Sequence, residues 1–425
     1  MGHKSSLGKS LKKFYCVTFF ILVMDRMDNV PGGLFSALRK LKYLYLVLLS
    51  VYFFSTVLKS GFKKKEASVV FVVLIFIVHT CLWGLVFVNY NILSETRFHM
   101  REILLLLLFI SGTSLLYSRE GAIEEFAEHT YYCYFLTLLW AGLTHSSNFV
   151  NPVKFVYVLG GDHAYRVTFG LGHANYVGSI CCCTLMCSVY IIEKVRNHSS
   201  LKTLLRNRRI RWLILADIYV VEMLFSTASR TAVLALSLAA ILYLFVYVDE
   251  LFPAHKAGSK RIIFLIVGSI VVLFLMVQGF FNGLLSETHR ESLISTNYEI
   301  MVNNFSLWTG MGYMNYSGFA FGVWAYGFET ANADSYYAYI FFSSGIIGTI
   351  IISFALLVVS SVVINKSYRY NYYSSLMVLV SFLFLGIAQA SVLSYDHLNS
   401  YTYWILLFLT MSESFGMVTN TYEFY

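Results

Sequence analysis

The sequence predicts an all-α protein, a polytopic integral membrane helix bundle with about twelve transmembrane helices and one large external loop. Three observations carry this prediction. Of 425 residues, 58% are hydrophobic and 13% charged, which leaves too little polar surface to clothe a soluble globule of this size. Apolar runs of roughly 15 to 25 residues recur down the chain, the length that crosses a hydrocarbon core of about 30 Å at about 1.5 Å per residue. Basic residues gather in alternate connecting segments, as they do in cytoplasmic loops.

Taken in order, the apolar runs are 14–30, 41–58, 67–88, 102–117, 130–143, 176–192, 212–226, 231–248, 262–281, 336–364, 374–393 and 401–416. The first is the weakest. It is followed by Asp25, Arg26 and Asp28, where a cleavable signal peptide would have small residues, so it is kept in the mature chain. Residues 1–425 therefore read as a single membrane domain without an internal repeat or a soluble module.

Orientation follows from the loops. Segment 193–211 holds Lys194, Arg196, Lys202, Arg206, Arg208, Arg209 and Arg211 against one acid, Glu193, and is assigned to the cytoplasm. Counting outward from it puts both termini inside, with 21 Lys and Arg in cytoplasmic segments and 10 in external ones. Arg26, Arg39, Lys40 and Lys42 fall on the external side and run against the rule. Two external loops are large, 144–175 and 282–335, and sites that work outside the cell belong there.

Composition also excludes some functions. A net charge of +8 in a polytopic chain reports the basic bias of cytoplasmic loops, so nucleic acid is not expected as a partner. All seven cysteines lie in apolar runs, where a thiol behaves as a small hydrophobe. Cys183 and Cys187 are one helical turn apart, yet no His, Asp or Glu follows at metal-ligand spacing. The outer loops contain neither an Asp-x-Asp pair nor a Gly-rich phosphate loop, and no metal or nucleotide cofactor is expected.

Arg166, Arg230 and Arg290 are the arginines of the predicted external segments from 144 onward. A guanidinium binds phosphate through two parallel hydrogen bonds and stays charged at any pH, so three of them suit a diphosphate at the membrane surface. Snorkelling to the interface or pairing with lipid phosphates is the alternative role. Trp308, Tyr313 and Trp324 belong to an aromatic cluster in a segment otherwise rich in Gly, Asn and Ser. Their rings suit either sugar faces or the headgroup region.

Around these arginines the motifs become specific. Arg166-Val167-Thr168-Phe169-Gly170-Leu171-Gly172-His173-Ala174-Asn175-Tyr176 resembles the Arg, Phe-Gly, His/Pro-Asn pattern that precedes a membrane helix in the O-antigen polymerase and ligase family. Ser229-Arg230-Thr231-Ala232 is similar to that family's Ser-Arg-small signature. Arg290 with Trp308-Thr309-Gly310-Met311-Gly312-Tyr313, then Ala333-Asp334-Ser335-Tyr336 and Gly345-Ile346-Ile347-Gly348, resemble its large external loop and the helix after it. The resemblance covers about 165–364 and lies in the order of the motifs more than in any one of them.

What the resemblance implies is a membrane-embedded glycosyltransferase of the cytoplasmic (inner) membrane, active on its outer face. It would be a polymerase of O-antigen, capsule or exopolysaccharide that joins lipid-linked oligosaccharide repeat units, with undecaprenyl diphosphate as leaving group. Its partners would be the polyprenyl-diphosphate-linked oligosaccharide, the growing glycan, and a chain-length regulator and flippase of the same pathway. Ligases of the family carry His-Asn where this chain has Ala333-Asp334, and the departure leans toward a polymerase over a ligase. Asp334 then stands as either general base or helix cap, with His173 and His289 as alternative bases. A secondary transporter or flippase would also have a dozen helices, but neither an inverted repeat nor a helix broken within the membrane is legible in the chain. A scaffolding membrane protein would not need arginines ordered in this way.

The assigned sidedness makes a direct prediction. Single cysteines introduced at Asn197 and Asn303, in a background without native thiols, should differ in labelling by an impermeant reagent in intact cells, with the second reactive and the first protected; equal external labelling overturns the topology.

Overall fold

The structure is a computed structural model. It describes residues 6–27, 37–38, 40–61, 63, 66–87, 93–119, 123–149, 167–196, 206–251, 297–303, 305–312, 335–370, 372–388 and 398–412. Eleven α-helices of 15 to 35 residues dominate this set: α1 (Ser6–Met24), α2 (Leu41–Ser60), α3 (Ala67–Cys81), α4 (Leu93–Arg119), α5 (Ile123–Thr144), α6 (Ala174–Arg196), α7 (Arg208–Ser226), α8 (Arg230–Leu251), α9 (Tyr336–Tyr370), α10 (Ser374–Ala388) and α11 (Leu398–Ser412). No β-strand occurs among the described residues. Among the described residues, five stretches are long and apolar enough to cross a membrane: Leu41–Lys59, Ala67–Val86, Thr96–Arg119, Ala174–Val195 and Tyr336–Tyr370. Thr231–Tyr243 and Ser374–Ile387 are apolar but shorter. The expected run 262–281 lies outside the described residues.

The helices are sorted by what their ends carry. The first two turns of α5 carry three carboxylates, two of them in the first turn, and each meets a different helix: Glu125 takes Lys12 of α1, Glu124 takes Lys194 of α6 at 2.9 Å, and Glu128 takes Arg209 of α7 at 2.5 Å. Acids in a first turn also favour the helix dipole. At the same end Glu193, fully buried at the close of α6, accepts the backbone N–H groups of Tyr373 and Ser374 at 2.9 Å each and so caps α10. We call this the ion-paired end. The ends of α5 and α7 and the starts of α6, α8 and α9 lie opposite, at what we call the motif end.

Helix α11 is the axis of the bundle. All fifteen of its residues are buried, the pattern of a helix packed on every side. Tyr134 of α5 bonds to its Thr402 and Leu398, and Tyr190 of α6 bonds to its Thr410. Ser381 of α10 reaches the carbonyl of Ala235 in α8 at 3.4 Å, which sets α10 antiparallel against α8. The chain thus leaves α8 at the ion-paired end and enters α9 at the motif end.

Several boundaries differ from the sequence reading, and charge explains them. The first helix begins at Ser6 rather than 14 because Lys12, 3% exposed, finds Glu125. Helix α5 starts at Ile123 rather than 130 because its glutamates are paired. Helix α3 runs into a π-helical turn, Leu82–Val86, before it ends. The largest correction concerns α9. The sequence reading found no helix broken within the bundle, yet α9 is interrupted at Gly345, with φ 62° and ψ −163°.

The break is filled by another part of the chain. Met311 and Gly312 donate their backbone N–H groups to Phe342 and Ser343 carbonyls, at 2.8 and 2.9 Å, while Ile346 and Ile347 donate to Leu307 and Trp308 carbonyls, both at 3.1 Å. Two carbonyls and two amides freed by the interruption are thereby satisfied.

Where α2, α3 and α4 meet, Arg119 grips Glu66 with two bonds of 2.8 and 2.7 Å and reaches the Gly61 carbonyl at 3.2 Å. The carboxylate is fully buried. Removing one partner of such a pair leaves the other charge stranded. Arg119→Leu should therefore destabilise the purified protein by roughly 3–5 kcal/mol, read as a lowered thermal midpoint in detergent, and Glu66→Gln combined with Arg119→Leu should recover part of the loss. Equal midpoints for the single variant and the parent would remove this pair from the stability of the fold.

Candidate functional site

The segment 167–176 forms a tight entrance to α6. Phe169 (φ 48°) and the following Gly170 (φ 72°) both adopt left-handed backbone, and Leu171 donates its N–H to the Thr168 carbonyl at 2.9 Å. Phe169 and Leu171 are buried, with Phe169 against Phe149. Gly170 packs on the imidazole of His145, where a Cβ would lie 2.6 Å from Cε1. The turn is therefore pinned to the end of α5.

His173 closes the turn as the N-cap of α6. Its Nδ1 accepts the Asn175 N–H at 3.2 Å and its carbonyl takes the N–H groups of Tyr176 and Val177. The Nδ1 bond makes His173 a side-chain cap of α6.

A second tight turn, 227–229, joins α7 to α8. Ala228 takes φ 52°, and Thr227 Oγ1 accepts the Ser229 N–H at 3.3 Å while donating to the Leu224 carbonyl. Among the described residues Phe169 and Ala228 are the two positive-φ residues that are not glycine, and each sits in one of these two entrances. Left-handed backbone is costly for a residue with a Cβ and persists only when its surroundings enforce it.

The two entrances are bonded together. Ser229 Oγ donates to Asn175 Oδ1 at 3.2 Å. One turn into α6, Gly178 lies so close to α8 that a Cβ would stand 2.6 Å from Ser229 Cβ and 3.0 Å from Ala232 Cβ. Cys182 then donates its thiol to the Ala232 carbonyl at 3.2 Å. Small residues at this seam let the helices approach backbone to backbone, as they do in membrane bundles. The N-termini of α6 and α8, neither with an acid in its first turn, thus open side by side.

Arg230 is the first residue of α8. The start of α9 reaches the same end from α10, where Tyr337 donates to the Leu383 carbonyl at 2.8 Å and Ser335 to the Gly386 carbonyl at 3.4 Å.

Of the residues singled out from sequence, His173, Trp308 and the backbone of Arg230 belong to the described set. Arg166, His289, Arg290, Tyr313, Trp324 and Asp334 lie outside it. Trp308 is 61% exposed, and its backbone is part of the turn that fills the break in α9. The Asn175–Ser229 bond and the glycine at 178 were missed by sequence reading. The signal for Gly178 was present, a glycine one helical turn past the motif asparagine.

Compared with protein families and with curated proteins, the chain matches none.

The close seam makes a stability prediction. Gly178→Val should force α6 and α8 apart and cost about 1–3 kcal/mol, seen as a lower thermal midpoint, whereas Gly178→Ala should cost less because Ser229 and Ala232 are small. An unchanged midpoint for the valine variant would mean that the two entrances are not in contact.

Proposed function

We propose that this chain is a polysaccharide polymerase of the cytoplasmic membrane, joining lipid-linked oligosaccharide repeat units at the outer face with a polyprenyl diphosphate as leaving group. The observation that carries the reading is the junction of the two entrances: the segment with the Phe-Gly and His-Ala-Asn residues and the segment with Ser-Arg are bonded through Asn175 and Ser229. In the proposed reaction the acceptor hydroxyl attacks the anomeric carbon of the donor sugar. The glycosidic C–O bond to the diphosphate breaks, and the hydroxyl proton passes to a base. Negative charge accumulates on the diphosphate as that bond breaks. Two helix N-termini without acids, and an arginine at the first position of one of them, suit that charge.

A ligase that hands a finished glycan to a final acceptor would use the same leaving group and the same anion site. The transporter reading has one observation in its favour, the broken helix α9. In transporters such breaks offer unwound backbone to the substrate. Here Phe342, Ser343, Ile346 and Ile347 already bond to the 306–312 turn, so these backbone groups are engaged by the chain itself.

The reading is tested by replacing Arg166, Arg230 and Arg290 singly with Lys. Lysine keeps the charge but loses the two-pronged geometry, so chain extension on a purified lipid-linked repeat unit should fall by tenfold or more, about 1.4 kcal/mol in the barrier, at normal membrane levels of the protein. Wild-type polymer from all three variants would falsify the diphosphate role.

A further inference from the structure

Three departures from α-helical geometry meet at one place in the bundle. They are the π-helical turn Leu82–Val86, the interruption of α9 at Gly345 and the non-helical turn 306–312. Irregular backbone inside an apolar bundle is tolerated where protein satisfies it, and here each piece satisfies another. Trp83, fully buried in the π-helical turn and stacked on His79, donates its indole N–H to the Thr309 carbonyl at 2.7 Å.

The fit leaves no room for side chains. A Cβ on Gly310 would lie 2.6 Å from both Gly345 N and the Phe342 carbonyl oxygen, and one on Gly345 would lie 2.5 Å from the Trp308 carbonyl carbon. Both glycines also hold positive φ, 72° and 62°.

The interruption has a geometric consequence. Residues 336–344 form a half-helix about 13 Å long at about 1.5 Å per residue, and its direction is not set by continuity with the rest of α9. It is held at its inner end by the 306–312 turn and at its outer end by the bonds of Tyr337 and Ser335 to α10. We infer that Trp83, Gly310 and Gly345 are positioning residues: they lock the 306–312 turn into α9 as a staple, and the staple aims the half-helix that enters the bundle at the motif end. The catalytic part of this inference rests on the polymerase reading. The structural part does not.

The test reads the two separately. In the full-length protein, the pair Ser335→Cys with Gly386→Cys, placed where Ser335 Oγ now meets the Gly386 carbonyl, should form a disulfide rapidly under mild oxidation, mapped by mass spectrometry. Adding Gly345→Ala, or Trp83→Phe as a milder change that keeps an aromatic ring, should slow that pairing at least fivefold. It should also speed hydrogen exchange at Met311 and Gly312 by about tenfold, the scale of one lost hydrogen bond.

In chain-extension assays Trp83→Phe should lower kcat at least fivefold with little change in KM, because misaimed groups cost turnover rather than binding. A merely structural role would lower the thermal midpoint and leave kcat per folded molecule intact. Pairing and exchange rates unchanged in both variants would overturn the staple. Slowed pairing with full turnover would overturn its catalytic purpose. A parent protein that extends no chain would sink the polymerase reading while the pairing and exchange rates still decide the staple.

Discussion

One constraint shapes this molecule: a backbone N–H or carbonyl placed inside an apolar bundle must find its partner within the protein. Regular helices meet it internally. Among the described residues, three sets of such groups outside regular helix are answered from elsewhere in the chain. The break at Gly345 is answered by 306–312, the first turn of α10 by the carboxylate of Glu193, and the Thr309 carbonyl by the Trp83 indole. These are long-range bonds, so each ties segments far apart in sequence and fixes how helices sit on one another.

The same constraint divides the bundle into two ends of different character. At the ion-paired end the electrostatics are resolved. Acids occupy the first two turns of α5, each finds a base on a neighbouring helix, and an acid caps α10. Partly exposed pairs such as Glu124–Lys194 add little stability by themselves. The buried Arg119–Glu66 pair is the exception, since either charge alone would be stranded. Their joint effect is to fix register among α1, α5, α6 and α7.

The helical character of the bundle was legible in the sequence, because apolar length is a strong signal. Eleven of the twelve expected runs coincide with helices, and the twelfth, 262–281, lies outside the described residues. Helix starts were misjudged where charged residues are neutralised by distant partners. Lys12 and Glu125 are more than a hundred residues apart, and hydropathy along the chain cannot see that pairing. The broken helix was hidden for a related reason. Gly345 lies in an unbroken apolar run, and the interruption shows only once the 306–312 turn is seen against it. For the candidate site, the order of motifs pointed to the two segments that meet, but the Asn175–Ser229 bond depends on how α6 and α8 dock.

The two entrances at the motif end share an unusual backbone geometry. The entrances of α6 and α8 carry left-handed Phe169 and Ala228, no acid stands in either first turn, and a cation opens α8. Phe169 and Ala228 both carry a Cβ, so the left-handed conformation costs free energy that a glycine would not incur. Left-handed backbone persists only where its surroundings enforce it, and both of these residues stand at the one junction closed by the Asn175–Ser229 bond. The close approach of α6 and α8 at Gly178 lies one turn beneath that junction and holds the two entrances together.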